Sequence, residues 1–184
     1  MFDRRAGENL VTLEAVTASE IERPVSAPPK QRRVRDSRVT LHQFMQPAHA
    51  NAMGNVHGGV ILKIADEAAA ICAMRHARRQ CVTVAIDSVS FHSPVHVGQL
   101  LALTATLTYV GRSSLEVHVS VHAEDPISGV ITHTNSAYFV FVALDEQGRA
   151  TGVPAIEFES DEERARFAEA GERQKLRLAR SKSL

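Results

Sequence analysis

Residues 60–75 limit most strongly what this chain can fold into. Their sequence is VILKIADEAAAICAMR, in which one lysine and the pair Asp66 and Glu67 are the only charges before the last residue. Ala, Ile, Leu and Met favour helix, so the stretch predicts a long helix that is buried on nearly every side. Gly58 and Gly59 precede it and leave backbone N–H groups open to an approaching acceptor. One element therefore combines a donor-rich N-terminus with an interior carboxylate pair.

The sequence before and after this helix has the two-residue period of β-strands. Apolar residues occupy every second position, or more, in five segments, which are residues 38–45, 81–91, 101–109, 115–121 and 130–144. Short turns join the last four, which indicates antiparallel neighbours. The sequence therefore predicts an α+β fold in which one antiparallel sheet wraps around the long helix. The threonine, serine and histidine faces of the strands are left to water or to another subunit.

Length and composition divide the chain into three parts. The 184 residues, of which 44% are hydrophobic, are enough for one domain with a good core, and we place that domain at residues 37–156. Residues 1–36 carry scattered charges, prolines and a basic cluster at 30–35, which predicts a disordered or loosely docked arm. Residues 157–184 predict a polar surface helix that Ser160 caps and that becomes basic toward its end.

The charge balance argues against two classes of partner. Lys plus Arg and Asp plus Glu number 21 each, so no basic excess favours nucleic acid or a membrane surface. The chain has neither a stretch of about 20 apolar residues to span a membrane nor the apolar run of a signal peptide. We therefore expect a cytoplasmic protein. Cys72 and Cys81 are too few for a disulfide framework, and we expect buried, inert thiols.

Two kinds of active site lack their motifs in this sequence. No histidine pair with H-x-x-x-H spacing encloses a carboxylate, as it does in the zinc motif H-E-x-x-H. No G-x-S-x-G sequence is present, which argues against a serine-hydrolase nucleophile. We therefore expect neither a metal ion nor a nucleophilic serine.

Short motifs follow one another in a fixed order through residues 50–144. They are A-N-x-x-G-N-V-H-G-G at 50–59, D-x-A-A-A-I at 66–71, V-T at 82–83, F-x-x-P-V-x-x-G at 91–98, G-R-S-S-x-E-V at 111–117 and F-V-A-L at 141–144. In this order and spacing they resemble the hotdog-fold acyl-CoA thioesterases, specifically the cytosolic acyl-CoA hydrolase group with its brain-type and small bacterial members. The tail at 162–178 is similar to the arginine-rich C-terminal helix of many members.

The resemblance implies a site that two subunits share, with an asparagine from the loop before the helix and an acid from within the helix. On this chain these residues are Asn51 and Asp66. Gly58 and Asp66 are eight residues apart, which is about 12 Å along one helix. Two antiparallel helices across a two-fold axis can bring both to one carbonyl carbon, so we expect a homodimer that makes the site twice. The relatives further imply a trimer of dimers.

The chemistry that the resemblance implies is hydrolysis of an acyl-CoA thioester to a free fatty acid and coenzyme A. The N–H groups of Gly58 and Gly59, at the positive end of a helix, suit the thioester oxygen as it gains charge. Asp66 suits the activation of water, either as a general base or as a nucleophile that forms a transient anhydride. Asn51 would orient the water or the thioester. Glu67 is the competing carboxylate, about 100° further round the helix.

The resemblance also places the coenzyme A contacts, at the start of the strand after the helix and in the hairpin after the next strand. On this chain they are Thr83, Val84, Ala85, Arg112, Ser113 and Ser114, with Arg173 of the C-terminal helix as a further contact. A cation and two hydroxyls beside a glycine turn fit a phosphate or pantetheine. Coenzyme A is part of the substrate, so we expect no separate cofactor.

Two other functions stay open on the same fold. A hydratase or dehydratase places a catalytic histidine on the loop or the helix start, where His49 and His57 lie. A non-catalytic acyl-CoA sensor or regulatory subunit binds its ligand without turnover, and the basic cluster at 30–35 is the one feature that favours it. The same cluster leaves a contact with nucleic acid or a phosphate as an alternative to a solvated charge run.

Overall fold

The computed structural model describes residues 30–181. Two helices and seven strands follow one another in this part of the chain, joined by 3-10 turns at Val34–Asp36 and Pro47–His49. In chain order they are β1 (Gln31–Arg33), β2 (Val39–Phe44), α1 (Gly58–Ala77), β3 (Gln80–Phe91), β4 (Leu100–Val110), β5 (Ser114–Glu124), β6 (Ile131–Leu144), β7 (Ala155–Glu157) and α2 (Asp161–Ser181).

Five of the strands form one antiparallel sheet in the order β2-β4-β5-β6-β3. The helix α1 follows β2 at one edge and leads into β3 at the other edge, so it lies across a face of the sheet and contacts all five strands. This arrangement confirms the predicted α+β hotdog fold. The helix itself is two residues longer at each end than the stretch 60–75 from which it was predicted.

The core lies between α1 and the inner face of the sheet. The helix residues Ala65, Ala68 and Ala73 are buried there, and their small side chains let the helix axis approach the strands. Lys63 and Glu67 stand exposed on the far side, joined by an ion pair. The prediction of a helix buried on nearly every side is therefore wrong for the single chain, because one sheet covers only one side of a helix.

The outer face of the sheet, opposite α1, is partly covered by α2. Tyr109 of β4 stacks on Phe167 of α2 with the ring centroids 4.8 Å apart. Glu116 of β5 is fully buried, and its carboxylate lies 2.8 Å from Arg173 and 2.7 Å from Arg177. The prediction that this polar face is left to water or another subunit is thus wrong beneath α2, where two arginines neutralise and cover the carboxylate.

The end of the predicted N-terminal arm is part of the fold. Strand β1 pairs in parallel with β7, and Val34 after it is 5% exposed in the core. Two arginines of the basic cluster at 30–35 are paired with acids, Arg33 with Glu157 at 3.4 Å and Arg35 with Glu159 at 3.2 Å. For residues 31–36 the prediction of a disordered or loosely docked arm is therefore wrong, because pairing with β7 orders them. The rest of the predicted arm lies outside the described residues.

Both cysteines are free, and burial raises the pKa of the Cys72 thiol to about 12 and that of Cys81 to about 11. The neutral thiol form therefore predominates at neutral pH.

Within residues 30–181, no helix is long and apolar enough to cross a membrane.

His76, near the end of α1, is fully buried. Its Nε2 lies 2.9 Å from the Pro154 carbonyl oxygen, whereas its Nδ1 has no hydrogen-bond partner within the part of the chain that the structure describes. Burial lowers the pKa of His76 below its ordinary value, although the bond to Pro154 opposes the shift. The neutral ring, which donates through Nε2, is therefore the form that the fold favours.

The buried carboxylate of Glu116 predicts a large loss of stability when its charge is removed. We expect Glu116→Gln to lower the free energy of unfolding by about 3 kcal/mol, because Arg173 and Arg177 then lose the carboxylate that they share. The measurement is urea denaturation followed by circular dichroism at a fixed protein concentration. The matched control is Glu162→Gln. It breaks an exposed ion pair between Glu162 and Arg166 within α2 and should change the free energy of unfolding little. Equal effects of the two substitutions would contradict the prediction.

The buried ring of His76 predicts a loss of stability in acid. The unfolded chain binds a proton at this histidine more readily than the folded chain, so the free energy of unfolding falls as the pH drops below about 6.5. His76→Gln keeps a donor for the Pro154 carbonyl. Between about pH 7.5 and pH 5.5 we expect the free energy of unfolding of this variant to fall by about 1 kcal/mol less than that of the wild type. Denaturation curves of both proteins at the two pH values check this. Parallel losses in the two proteins would show that His76 is not the group responsible.

Candidate active site

The loop before α1 is shaped by the side chain of Asn51. Its Oδ1 accepts the N–H of Met53 at 2.9 Å and the N–H of Asn55 at 3.3 Å. The backbone N–H of Asn51 donates to the Asn55 carbonyl at 2.7 Å. Asparagine suits such a turn because its side chain can replace a backbone acceptor. The Nδ2 amide has no acceptor within residues 30–181, so it is the donor that this residue presents to a ligand.

The N-terminus of α1 is capped by His57. The N–H of Gly59 donates to the His57 Nδ1 at 2.9 Å, and the N–H of Val60 donates to the His57 carbonyl at 2.9 Å. The N–H of Gly58 has no acceptor among the described residues. Of the two glycines that the sequence predicts as oxyanion donors, Gly58 is the one with an unoccupied N–H, and Gly59 is used by the cap.

Phe91, at the end of β3, packs closely against Gly58 at the start of α1. A Cβ added to Gly58 would lie 3.2 Å from the Phe91 ring, closer than such contacts normally are. The ring therefore packs on the helix start, and Phe91 as a whole is 52% exposed. The sequence shows the phenylalanine but not this contact, because 33 residues separate the two positions.

One open cavity of about 330 Å³ brings Asn51 and Gly58 together. Its wall also contains Ile61 of α1 and Phe91. Asp66 is not part of this wall, since it lies eight residues beyond Gly58, about 12 Å along α1. The single chain therefore unites the predicted asparagine with the helix-start donor and keeps the predicted acid apart from them.

Asp66 is held by a residue of the neighbouring strand. The Thr83 hydroxyl of β3 donates to the Asp66 Oδ1 at 2.8 Å, which leaves Oδ2 without a bonded partner among residues 30–181. The competing acid Glu67 pairs with Lys63 on the exposed side of the helix. Thr83 was predicted as a coenzyme A contact, and its hydroxyl donates to the Asp66 carboxylate in the single chain.

The strand β3 is irregular where the other predicted coenzyme A contacts lie. The ladder with β6 shifts between Thr83 and Ala85, so Val84 is an extra residue without a partner in β6. Because β3 is an edge strand, its other side also carries unpaired backbone groups. Val82 and Val84 are 43% and 55% exposed there. The edge at residues 83–85 therefore offers backbone donors and acceptors beside an apolar surface.

The hairpin between β4 and β5 contains the predicted residues Arg112, Ser113 and Ser114. Its backbone is fixed, because the Ser113 carbonyl accepts the N–H of Ala143 at 2.9 Å and the Arg112 carbonyl accepts the N–H of Val153 at 3.1 Å. The Arg112 side chain is exposed and has no ion pair within the described residues. A rigid turn thus presents a guanidinium group that can bind an anion.

Arg173 lies apart from these residues. Its guanidinium group is bonded to Glu116 and stands 4.1 Å from the centre of the Tyr138 ring. This cluster belongs to the outer face of the sheet, on the side away from α1. The structure therefore does not bring Arg173 together with Asn51 and Gly58.

The histidines near the helix start serve local structure. His57 caps α1, and the Nδ1 of His49 accepts the N–H of Gln46 at 3.1 Å. Among residues 30–181, no group of three or more histidine, cysteine or acidic side chains is arranged to hold a metal ion. These contacts supply no observation in favour of a histidine-based hydratase.

The sequence of the chain is similar to the sequences of known proteins. Residues 53–130 match the model of the thioesterase superfamily. An uncharacterized acyl-CoA thioester hydrolase of Bacillus subtilis is 34% identical over 135 residues, which are 73% of this chain and 78% of that protein.

Solved structures of similar proteins have the same fold. An apo-hexameric acyl-CoA thioesterase has a TM-score of 0.79 at 36% identity, covering 83% of this chain and 98% of its own. An acyl-CoA hydrolase of Staphylococcus aureus, in complex with butyryl coenzyme A, coenzyme A and coenzyme A disulfide, has a TM-score of 0.77 at 33% identity, covering 83% and 93%. Further structures of that hydrolase carry alanine in place of an aspartate, a threonine or an asparagine. The chain therefore belongs to the thioesterase superfamily and, within it, to the hotdog-fold acyl-CoA thioesterases.

Proposed function

We propose that the chain hydrolyses acyl-CoA thioesters to a free acid and coenzyme A, at a site to which two copies contribute. Asn51 and Gly58 come from one copy and Asp66 from the other. The observation that carries this proposal is the division of the site in the single chain. Asn51 and Gly58 line one cavity, and Asp66 does not.

The donors of the first copy polarise the thioester. The Gly58 N–H stands at the positive end of α1, and the Asn51 amide lines the same cavity. Donors placed where the oxygen gains charge stabilise the transition state, each by about 3 kcal/mol. Gly59 can add a second N–H only if its bond to His57 is released, so we assign Gly58 the larger part.

Asp66 of the second copy activates water. Its Oδ1 is held by Thr83, so Oδ2 is the atom that can take a proton from water or attack the carbonyl carbon directly. Both roles are compatible with this geometry. Thr83 is a positioning residue in either case, because its hydroxyl fixes the orientation of the carboxylate.

The spacing of substituted residues in the Staphylococcus aureus hydrolase supports this assignment. The substituted asparagine and aspartate are 15 positions apart in its sequence, and the substituted aspartate and threonine are 17 positions apart. Asn51, Asp66 and Thr83 stand at the same two intervals in this chain. The three residues that we single out thus match the three chosen for substitution in that relative.

The exposed edge of the sheet supports the dimer. Strand β3 presents Val82, Val84 and Ile86 to solvent in the single chain, and an apolar edge strand is prone to pair with another strand. Two β3 strands paired across a two-fold axis would continue the sheet and set the two α1 helices side by side. A trimer of such dimers follows the hexameric state of the similar thioesterase.

The remaining predicted contacts form the seat for coenzyme A. We propose that Arg112, Ser113 and Ser114 bind a phosphate group and that the bulged edge at residues 83–85 bonds the pantetheine arm. A contact from Arg173 would require it to leave Glu116, so Arg112 is the better phosphate ligand. No cofactor or metal beyond the substrate is proposed, and neither nucleic acid nor a membrane is a proposed partner. The cytoplasmic location stays a prediction.

Removal of the Asp66 charge tests the reaction. We expect Asp66→Asn to reduce release of free thiol from acyl-CoA by about a thousandfold, because the variant can neither take a proton nor attack the carbonyl. The matched control is Glu67→Gln at the adjacent position, which should retain nearly full activity. Full activity in Asp66→Asn would refute the assignment. Tight binding of acyl-CoA by the wild type without thiol release would favour a non-catalytic regulator instead.

Hybrid oligomers test whether the site is shared. Asn51→Ala and Asp66→Asn should each be nearly inactive alone. Co-expressed at equal levels they form hybrid dimers in which one of the two sites has both residues intact, so about a quarter of wild-type activity returns. The control pairs Asn51→Ala with the double variant Asn51→Ala/Asp66→Asn, which has no intact site in any combination. A failure to recover activity in verified hybrids would place both residues in the site of one chain.

A further inference from the structure

A cavity of about 200 Å³ lies on the outer face of the sheet, beneath α2. Its floor is one row of residues that pair directly across three strands, Thr106 of β4, His118 of β5 and Tyr138 of β6. The His118 and Tyr138 rings contact each other, with their centroids 4.8 Å apart. The lining residues differ from those of the cavity that contains Asn51 and Gly58. The cavity beneath α2 is therefore separate from the proposed active site.

One side of α2 forms the wall of this cavity. Arg166, Glu169 and Arg173 line it, and their spacing of three and four residues places them on the same side of the helix. The Arg166 Nη2 donates to Glu162 at 2.6 Å in an exposed ion pair. Arg173 donates to Glu116 through Nε and Nη2, so its Nη1 has no acceptor within residues 30–181. Both guanidinium groups therefore keep N–H donors for a ligand.

Three groups of the floor also have no hydrogen-bond partner among the described residues. They are the Thr106 hydroxyl, the Tyr138 hydroxyl and the His118 ring. Their polar atoms are not buried, so they are open to a ligand in the cavity. Among the described residues that line the cavity, Glu169 is the single carboxylate. Donors that lack an acceptor thus outnumber carboxylates around this cavity.

The charge around His118 is positive on balance. Burial lowers the pKa of His118, and Arg166 and Arg173 lower it further. Glu116 raises this pKa, but each arginine acts on the ring at least as strongly as the carboxylate does. A surface of donors with a positive potential is complementary to an anion that accepts several hydrogen bonds. A phosphate group is such an anion, and its oxygens match the geometry of a guanidinium group.

We propose that the cavity beneath α2 binds a phosphate group, with Arg166, His118 and Tyr138 as its donors. A phosphate ion of five heavy atoms needs about 75 Å³, at about 15 Å³ for each water-sized group. The cavity is larger than this, so it accommodates either free phosphate or the phosphate end of a small phosphorylated compound. Glu169 opposes an anion and limits the affinity. The inference is independent of the proposed thioester hydrolysis.

Titration calorimetry of the full chain tests this site, in a buffer without phosphate and at constant ionic strength. The probes are inorganic phosphate, glycerol 3-phosphate and glycerol. We expect both phosphates to bind with a dissociation constant of about 1 mM or lower, and glycerol not to bind. Tighter binding of glycerol 3-phosphate than of inorganic phosphate would identify a phosphorylated compound as the ligand, and the reverse order would identify free phosphate. Absence of binding of both phosphates at about tenfold that concentration overturns the inference.

Substitutions on α2 locate the bound phosphate. Arg166→Gln should weaken its binding by about tenfold, because a charged donor is lost. Glu169→Gln should strengthen it by about threefold, because the opposing charge is removed. The matched control is Arg164→Gln, since Arg164 stands on the same helix in an exposed ion pair with Asp161 and does not line the cavity. This control should leave the affinity unchanged.

Two results with these variants overturn the inference. One is an unchanged affinity in Arg166→Gln. The other is complete loss of binding in Arg112→Gln, because phosphate would then occupy the proposed seat for coenzyme A. Circular dichroism of each variant without ligand verifies that it is folded. If Arg166→Gln fails to fold, Tyr138→Phe removes a single hydroxyl of the site and should likewise weaken binding, and an unchanged affinity in that variant overturns the inference.

Discussion

The structure depends on the fact that one face of one sheet covers only one side of α1. Ala65, Ala68 and Ala73 pack against the strands, and the far side of the helix stays uncovered. The sheet that supplies this cover also ends in β3, an edge strand with exposed valines. A second copy that pairs with β3 would extend the sheet and cover the open flank of the helix. The same demand for apolar burial that folds the chain thus favours its assembly.

In the proposed dimer, a site divided between two chains places a physical demand on each half, because each must be positioned before the halves meet. Each half of this site is fixed by contacts within its own chain. The Asn51 turn and the His57 cap hold the donors, and the Phe91 ring packs on Gly58. Thr83 holds the Asp66 carboxylate. Association therefore does not have to order these side chains, which lowers its entropic cost and preserves the geometry for catalysis.

The elements that were predictable from sequence are those with local signals. The composition of residues 60–75 predicts α1 to within two residues at each end, and the two-residue period predicts the five strands of the main sheet. Three-residue β1 is too short to show a period, so its pairing with β7 could not be predicted. Contacts between distant residues were equally out of reach, including those of Thr83 with Asp66 and of Arg173 with Glu116. Sequence motifs located the candidate residues, but the partner of each side chain depends on packing.

Two buried polar side chains of the sheet differ in how fully their hydrogen bonds are satisfied. Glu116 is fully buried, yet Thr108, Arg173 and Arg177 bond its carboxylate, so its charge is compensated and its effect is to hold α2 on the sheet. Asn135 is almost as deeply buried, but its Oδ1 has no donor among the residues that the structure describes. A buried acceptor without a donor costs stability, so the bond of the Nδ2 to the Ser90 carbonyl is the one that ties β6 to β3 here.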